Sequence, residues 1–161
     1  MSRAIPSALL STLSNDSLSP FYAVELMFDS RTATDAYGNS FQVAPLRLWT
    51  GVGDRDIVVQ GSSETFTGTG QMLELSGMDG VNDLSAKTFN LSLTGLPPES
   101  LAVALREPYQ RRACRIYFGE QSVSEVVEIF SGKMDKMSII DEPENSTISL
   151  SVESNLIELE R

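Results

Sequence analysis

The chain has 161 residues and a formal charge of −10, from 12 basic and 22 acidic side chains. That length suits one domain with a sizeable core, and that charge argues against binding nucleic acid or an anionic membrane with the molecule as a whole. There is no histidine and a single cysteine, Cys114, which excludes an intrachain disulfide, Cys/His zinc sites and nucleophilic catalysis that relies on a histidine base.

In chain order, Ile5, Leu9, Leu10 and Leu13 form a helical stripe, with Pro6 suited to the first turn. The polar run from Ser14 to Pro20 then breaks it. This apolar piece is short and lacks a small-residue cleavage site, so it reads as a helix rather than a signal peptide. No stretch approaches the roughly 20 apolar residues of a membrane helix. From Tyr22 the period becomes two: Tyr22, Val24, Leu26 and Phe28 alternate with Ala23, Glu25 and Met27, as in a half-buried strand. Asp29 to Ser40 reads as a long polar loop. Leu46, Leu48 and Trp49 start a second strand, ended by Gly51-Val52-Gly53-Asp54. Two short strands, Ile57 to Val59 and Glu64 to Thr67, flank a turn at Gly61-Ser62-Ser63.

The second half alternates more cleanly. Leu73 and Leu75, then Phe89, Leu91 and Leu93, then Cys114, Ile116 and Phe118, then Ile148, Leu150 and Val152 each face one way, with polar residues between most of them. Val127, Ile129, Met137 and Ile139 belong to the same pattern. One-sided alternation is what antiparallel sheets with a wet face require. A helix is predicted near residues 98–106, where Pro97-Pro98-Glu99 leads into Leu101 and Leu105 on one face. The expected architecture is mostly β, an antiparallel barrel or sandwich of nine or ten short strands with one or two short helices. Residues 1–20 would be a helix and linker, and residues 21–161 a single β-barrel domain.

Candidate chemistry is sparse. Asp54 and Asp56, and separately Asp141, Glu142 and Glu144, could pair as acid and base or hold calcium, but neither set matches the calcium-loop spacing. Turns favour the same residues for backbone reasons. Gly51-Val52-Gly53 and Gly68-Thr69-Gly70 do not open a helix after a strand, so they lack the context of a phosphate-binding loop. Arg106, Arg111, Arg112 and Arg115 are the one basic cluster and read as a solvated strand end. Trp49, Tyr109 and Tyr117 could form a saccharide-binding surface, although aromatics on sheets are more often core or interface. No catalytic residue, metal site or cofactor is predicted, and no enzyme activity.

Four blocks stand together in order. The first is Trp49-Thr50-Gly51-Val52-Gly53-Asp54. The second runs from Gly68 to Leu105 and includes Leu73-Glu74-Leu75-Ser76-Gly77 and Leu91-Ser92-Leu93-Thr94-Gly95-Leu96-Pro97. The third joins Pro108-Tyr109-Gln110-Arg111-Arg112 to Arg115-Ile116-Tyr117-Phe118-Gly119. The fourth joins Phe130-Ser131-Gly132-Lys133-Met134-Asp135 to Ser149 through Ser154 and Leu156 through Arg161. From about Tyr22 onward the chain resembles tail-tip proteins, hub or distal-tail components, of long-tailed bacteriophages and gene transfer agents. Relatives usually continue past the Leu-Glu-Arg end with a basic, tyrosine-containing stretch, whereas this chain stops at Arg161.

The resemblance implies a tail-hub β-barrel flanked by a helix around Leu101. It implies self-assembly into a trimeric or hexameric ring, contacting the tail tube, hub and tip or fibre proteins. DNA would meet it only in transit through the lumen, and it would not bind membrane by itself. It implies a location in the virion tail after folding in the bacterial host cytoplasm. The candidate interface residues are Trp49, Asp54, Tyr109, Arg111 and Arg112, within three candidate segments: the loop from Asp29 to Ser40, the loop from Gly51 to Asp56, and Pro108 to Arg112. The alternative from another class is a carbohydrate-binding or host-recognition module of the tail.

Overall fold

The structure, a computed structural model, describes residues 5–28, 32–34, 37–42, 45–70, 73–76, 88–94, 108–141 and 146–154. The fold is mostly β. One short helix, α1 (Ser7–Thr12), precedes eleven strands: β1 (Pro20–Leu26), β2 (Thr32–Thr34), β3 (Ser40–Gln42), β4 (Leu46–Trp49), β5 (Arg55–Val59), β6 (Ser62–Gly68), β7 (Leu73–Ser76), β8 (Thr88–Thr94), β9 (Ala113–Glu120), β10 (Val127–Asp141) and β11 (Ser146–Ser154). The helix predicted near 98–106 lies outside the described residues.

Nine strands form one sheet in the order β5-β6-β4-β1-β9-β10-β11-β8-β7. It is mixed rather than wholly antiparallel, because β4 and β6 pair in parallel through Leu48↔Thr67 and Trp49↔Gly68. The other ladders of this sheet are antiparallel, with Leu48, Val24 and Ile116 opposite one another across β4, β1 and β9. No ladder among the described residues joins the β5–β6 end to the β7–β8 end, so the sheet is open.

It nevertheless curls. Leu48 on β4 and Leu91 and Leu93 on β8 share one buried cluster with Val24, Leu26, Ile116, Met134, Ile148 and Leu150. Strands this far apart in the order can meet on one face only if that face is concave. Two irregularities in β10, between Glu128 and Phe130 and between Met134 and Lys136, sharpen the bend. The second also resets the pleat: Met134 is buried, Lys136 and Ser138 are exposed, and Met137 packs on the core.

The opposite face of β1 is covered as well. Phe21, Ala23, Trp49 and Tyr117 form a second cluster with Ile57, Val59 and Phe66 from the β5–β6 hairpin and with Val126. Two residues, Gln60 (φ 51°) and Gly61 (φ 83°), turn that hairpin, and Val59 pairs directly with Ser62. Positive φ at both turn positions matches the right-handed twist of the flanking strands. Burial on both sides corrects the reading of β1 as half-buried: Phe21, Ala23 and Glu25 are as enclosed as Val24 and Leu26.

Two further expectations change. The stripe on α1 buries only Leu9, leaving Ile5, Leu10 and Leu13 exposed. Pro6 is the N-cap, and its carbonyl accepts from the Leu10 amide at 2.9 Å. The segment from Asp29 to Ser40 is not simply a loop. It contains β2 and leads into β3, which pair as a separate two-stranded sheet, Thr32↔Gln42 to Thr34↔Ser40.

Candidate functional site

The glycine-rich stretches at 51–53 and 68–70, remote in sequence, meet around Trp49. The indole N–H donates to the Gly53 carbonyl at 2.8 Å. The amides of Gly68, Thr69 and Gly70 donate to the carbonyls of Gly53, Trp49 and Gly51 at 3.0, 2.9 and 2.9 Å, and the Thr69 hydroxyl adds a bond to the Trp49 carbonyl at 2.9 Å. The approach requires glycine at two positions. A Cβ on Gly51 would overlap the Trp49 indole, and one on Gly68 would collide with the Gly51 carbonyl and the Gly53 backbone. Phe21 stacks edge-on to Trp49 at 5.5 Å. The Arg55 guanidinium lies over both rings, 5.0 and 5.4 Å from their centroids. Its Nη2 donates to the carbonyls of Gln121 and Val123 at 2.7 and 3.0 Å. The result is a braced latch whose apex, Val52, is 88% exposed, with Asp54 exposed beside it.

A ladder of alternating charge crosses five strands: Glu64 on β6, Arg47 on β4, Glu25 on β1, Arg115 on β9 and Glu128 on β10. Arg47 bridges Glu25 at 2.9 Å and Glu64 at 3.0 Å, while Arg115 reaches Glu25 at 3.5 Å and Glu128 at 3.9 Å. Glu25 is 3% exposed, and its Oε2 also accepts the Tyr117 hydroxyl at 3.0 Å. Such a carboxylate is tolerated because both oxygens are paired. Burial, and then the Glu25 charge and hydrogen bond, hold the Tyr117 phenol well above its ordinary range. Burial, with Glu25 second, pushes the Cys114 thiol up to about 12. At neutral pH both stay protonated, and neither is an activated nucleophile.

The third feature is a tight bend. The Arg112 amide donates to the Tyr109 carbonyl at 3.0 Å, and Arg111 sits at φ 62°. That left-handed conformation is costly for a side chain with a Cβ. The bend is held against β10 by Arg111 N–H to the Met134 carbonyl and Met134 N–H to the Arg112 carbonyl, both 2.8 Å.

The five predicted interface residues therefore fall in two groups at opposite ends of the sheet. Trp49 and Asp54 lie at the Pro20 end of β1, where Thr50 N–H donates to the Tyr22 carbonyl and Gln121 N–H to the Ser19 carbonyl, both at 3.0 Å. Tyr109, Arg111 and Arg112 lie at the Leu26 end, where Met27 N–H donates to the Ala113 carbonyl at 2.9 Å. The length of β1 separates the ends by roughly 20 Å. Trp49 is a core residue, 6% exposed, and so is Tyr117 at 2%, which removes both from any surface for saccharides. Tyr109 remains half-buried. Arg111 is exposed, Arg112 is partly buried, and Arg106 lies outside the described residues. Arg115 belongs to the charge ladder rather than to a basic patch.

Asp56 accepts the Thr65 hydroxyl at 2.7 Å beside the exposed Asp54. Asp141 ends β10, while Glu142 and Glu144 lie outside the described residues. Glu120 is a further carboxylate in use: Ser122 donates to it through its amide at 2.8 Å and through its hydroxyl, which holds its carboxyl below the ordinary range. Among the described residues no group of three or more acidic, cysteine or histidine side chains could hold a metal ion, and no helix is long and apolar enough to cross a membrane. Sequence reasoning missed Glu25, which reads as the wet side of a strand; its one signal is arginines opposite it in register, visible only once the strands are paired.

A groove of about 450 Å³ lies over β8, β10 and β11. Asn90, Tyr109, Lys136, Met137, Ser138, Ser149, Leu150 and Ser151 line it. Lys136 is its one charged residue. With the geometry in place, comparison with known proteins adds no relative: no protein-family model and no curated protein matches this chain.

Proposed function

We propose that the protein is a structural component of a phage or phage-like tail tip or baseplate, forming a ring that connects the tail tube to the host-facing tip. One observation carries most of this reading. The four sequence blocks that resemble tail-tip proteins pair in the fold. The first block wraps Trp49 and is pinned by Gly68 at the start of the second, and the bend of the third is bonded to Met134 of the fourth. The blocks thus build two braced ends of one sheet, which a ring connecting two neighbours would use.

Other features support the same reading. The sheet has edges that ring assembly would cover. Ile5, Leu10, Leu13, Leu18 and Val52 are exposed large apolar side chains. The charge of −10 suits the wall of a channel that DNA passes without sticking. Sedimentation velocity and electron microscopy of the purified protein test this: rings of three or six copies are expected, and a monomer at all concentrations would overturn it.

A further inference from the structure

Arg111 is an odd residue for its position. The bond from the Arg112 N–H to the Tyr109 carbonyl closes a turn in which Arg111 stands third, at φ 62°. Glycine or asparagine ordinarily fills the third position of a turn with positive φ. A Cβ in that conformation crowds the carbonyl that follows it. The chain uses glycine at four other left-handed positions, Gly38, Gly53, Gly61 and Gly70. Gln60 is left-handed too, but it turns the two-residue β5–β6 hairpin, whose twist demands that conformation. At Arg111 the clamp is the pair of backbone bonds to Met134, and a glycine would make them equally well. Strain of this kind persists where a side chain is needed for something other than the fold.

The side chain gives the fold nothing in return. Arg111 is exposed, and its guanidinium makes no hydrogen bond or ion pair among the described residues, whereas Arg47, Arg55 and Arg115 are all engaged. A second cation stands close by. Lys136 follows Met134 on β10, just past the irregularity, and is exposed and equally unengaged among the described residues. Asp135, between Met134 and Lys136, is partly buried and pairs with neither cation.

This pair fits a single carboxylate on another protein. A guanidinium fork donates two parallel bonds to a carboxylate, and an ammonium adds a second positive charge. A polyanion such as DNA fits worse, because the chain's charge of −10 repels it. The site lies at the Leu26 end of β1, away from the Trp49 latch. In a ring that joins two neighbours through its two ends, that end meets a different protein rather than another copy. We propose that Arg111, with Lys136 beside it, docks on a carboxylate of the adjoining tail protein, and that the turn is kept strained for this contact. The inference deepens the ring reading and rests on it.

One test uses the free full-length chain and one uses particles. In urea unfolding, Arg111→Gly is expected to have a midpoint at or above that of the wild type, because the strain leaves with the Cβ. A lower midpoint would show that the arginine serves the fold and would overturn the inference. The same variant is expected to enter particles at least about tenfold less than the wild type, and normal incorporation would overturn the docking. Carbodiimide joins an amine directly to a carboxylate in contact with it. In intact particles it is expected to link Lys136, and the amine supplied by Arg111→Lys, to an Asp or Glu of a different tail protein, as mapped by mass spectrometry. No link at either position, or links to this chain alone, would overturn the proposed partner. So would duplex DNA that retards the wild type and not Arg111→Gly in electrophoresis. Wild-type protein absent from particles would overturn the tail reading itself, and this inference with it.

Discussion

At the scale of single residues, two glycines decide whether the Trp49 latch can form. Gly68 has only backbone atoms of Gly51 and Gly53 in the space a methyl would take, and backbone cannot swing aside as a side chain does. Gly68→Ala is therefore expected to destabilise the fold by about 2–3 kcal/mol. Gly53→Ala, at φ 75° with open space around it, should cost only about 1 kcal/mol of backbone strain. Urea unfolding followed by the fluorescence of the single tryptophan reads both, and equal effects would contradict the close approach. Glu25→Gln should cost about 2–3 kcal/mol, less than the roughly 3–5 kcal/mol for a fully buried pair, because Arg47 and Arg115 remain partly exposed. A double-mutant cycle with Arg47→Met should show coupling between the two.

Cys114 and Tyr117 both favour unfolding at alkaline pH. The thiol's pKa rises from 9.0 to about 12 on folding, and the phenol's also rises from 10.0. Above pH 9 the unfolded chain releases a proton that the folded chain keeps, so unfolding is favoured as pH rises. The stability due to the protonated thiol is complete below pH 9 and falls between pH 9 and about 12, at up to about 1.4 kcal/mol per pH unit. Tyr117 adds to the decline above pH 10. Thermal melts from pH 7 to 11 check the direction, and Cys114→Ala should flatten the onset near pH 9.

At the scale of elements, alternation was enough to place β8 and β11, because each keeps period two and buries a single apolar row: Leu91 and Leu93, Ile148 and Leu150. In β9 it found Cys114 and Ile116 but set Tyr117 on the other face, where it is buried in the second cluster rather than wet. β10 was legible only in pieces. Its irregularities break the period at Ile129 and Asp135, so one 15-residue strand reads as separate short ones. Deleting Asp135 is expected to restore regular pairing with Lys136 still opposite Ser151 and Met137 opposite Leu150, so that each side chain keeps its face and only the local bend is lost. Urea unfolding should stay cooperative; a broad, non-cooperative transition would contradict this reading of the bulge. The β2–β3 hairpin was hidden because three-residue strands carry too little pattern, and the covering of β1 by β5–β6 because Glu25 looks solvated until Arg47 and Arg115 are placed opposite it. The latch joins glycines 15 or more positions apart, a contact that no local pattern encodes.

At the scale of the molecule, the proposed role rests on two braced ends. The latch at one end and the Tyr109–Arg112 bend at the other are both fixed by backbone hydrogen bonds, so neighbours would meet preformed surfaces and association would cost little ordering. Loosening one end should affect one neighbour only. Val52→Asp, at the latch apex, is expected to leave the melting temperature within a degree or two, since the side chain is 88% exposed, while reducing incorporation into particles. Particle-bound and free protein can be compared by sedimentation and immunoblotting. The most direct measurement for the central claim is the position and symmetry of the labelled protein in electron micrographs of intact particles. The proposed role requires a three- or sixfold ring where the tail tube meets the tip; particles that lack the protein, or carry it without rotational symmetry, would contradict it.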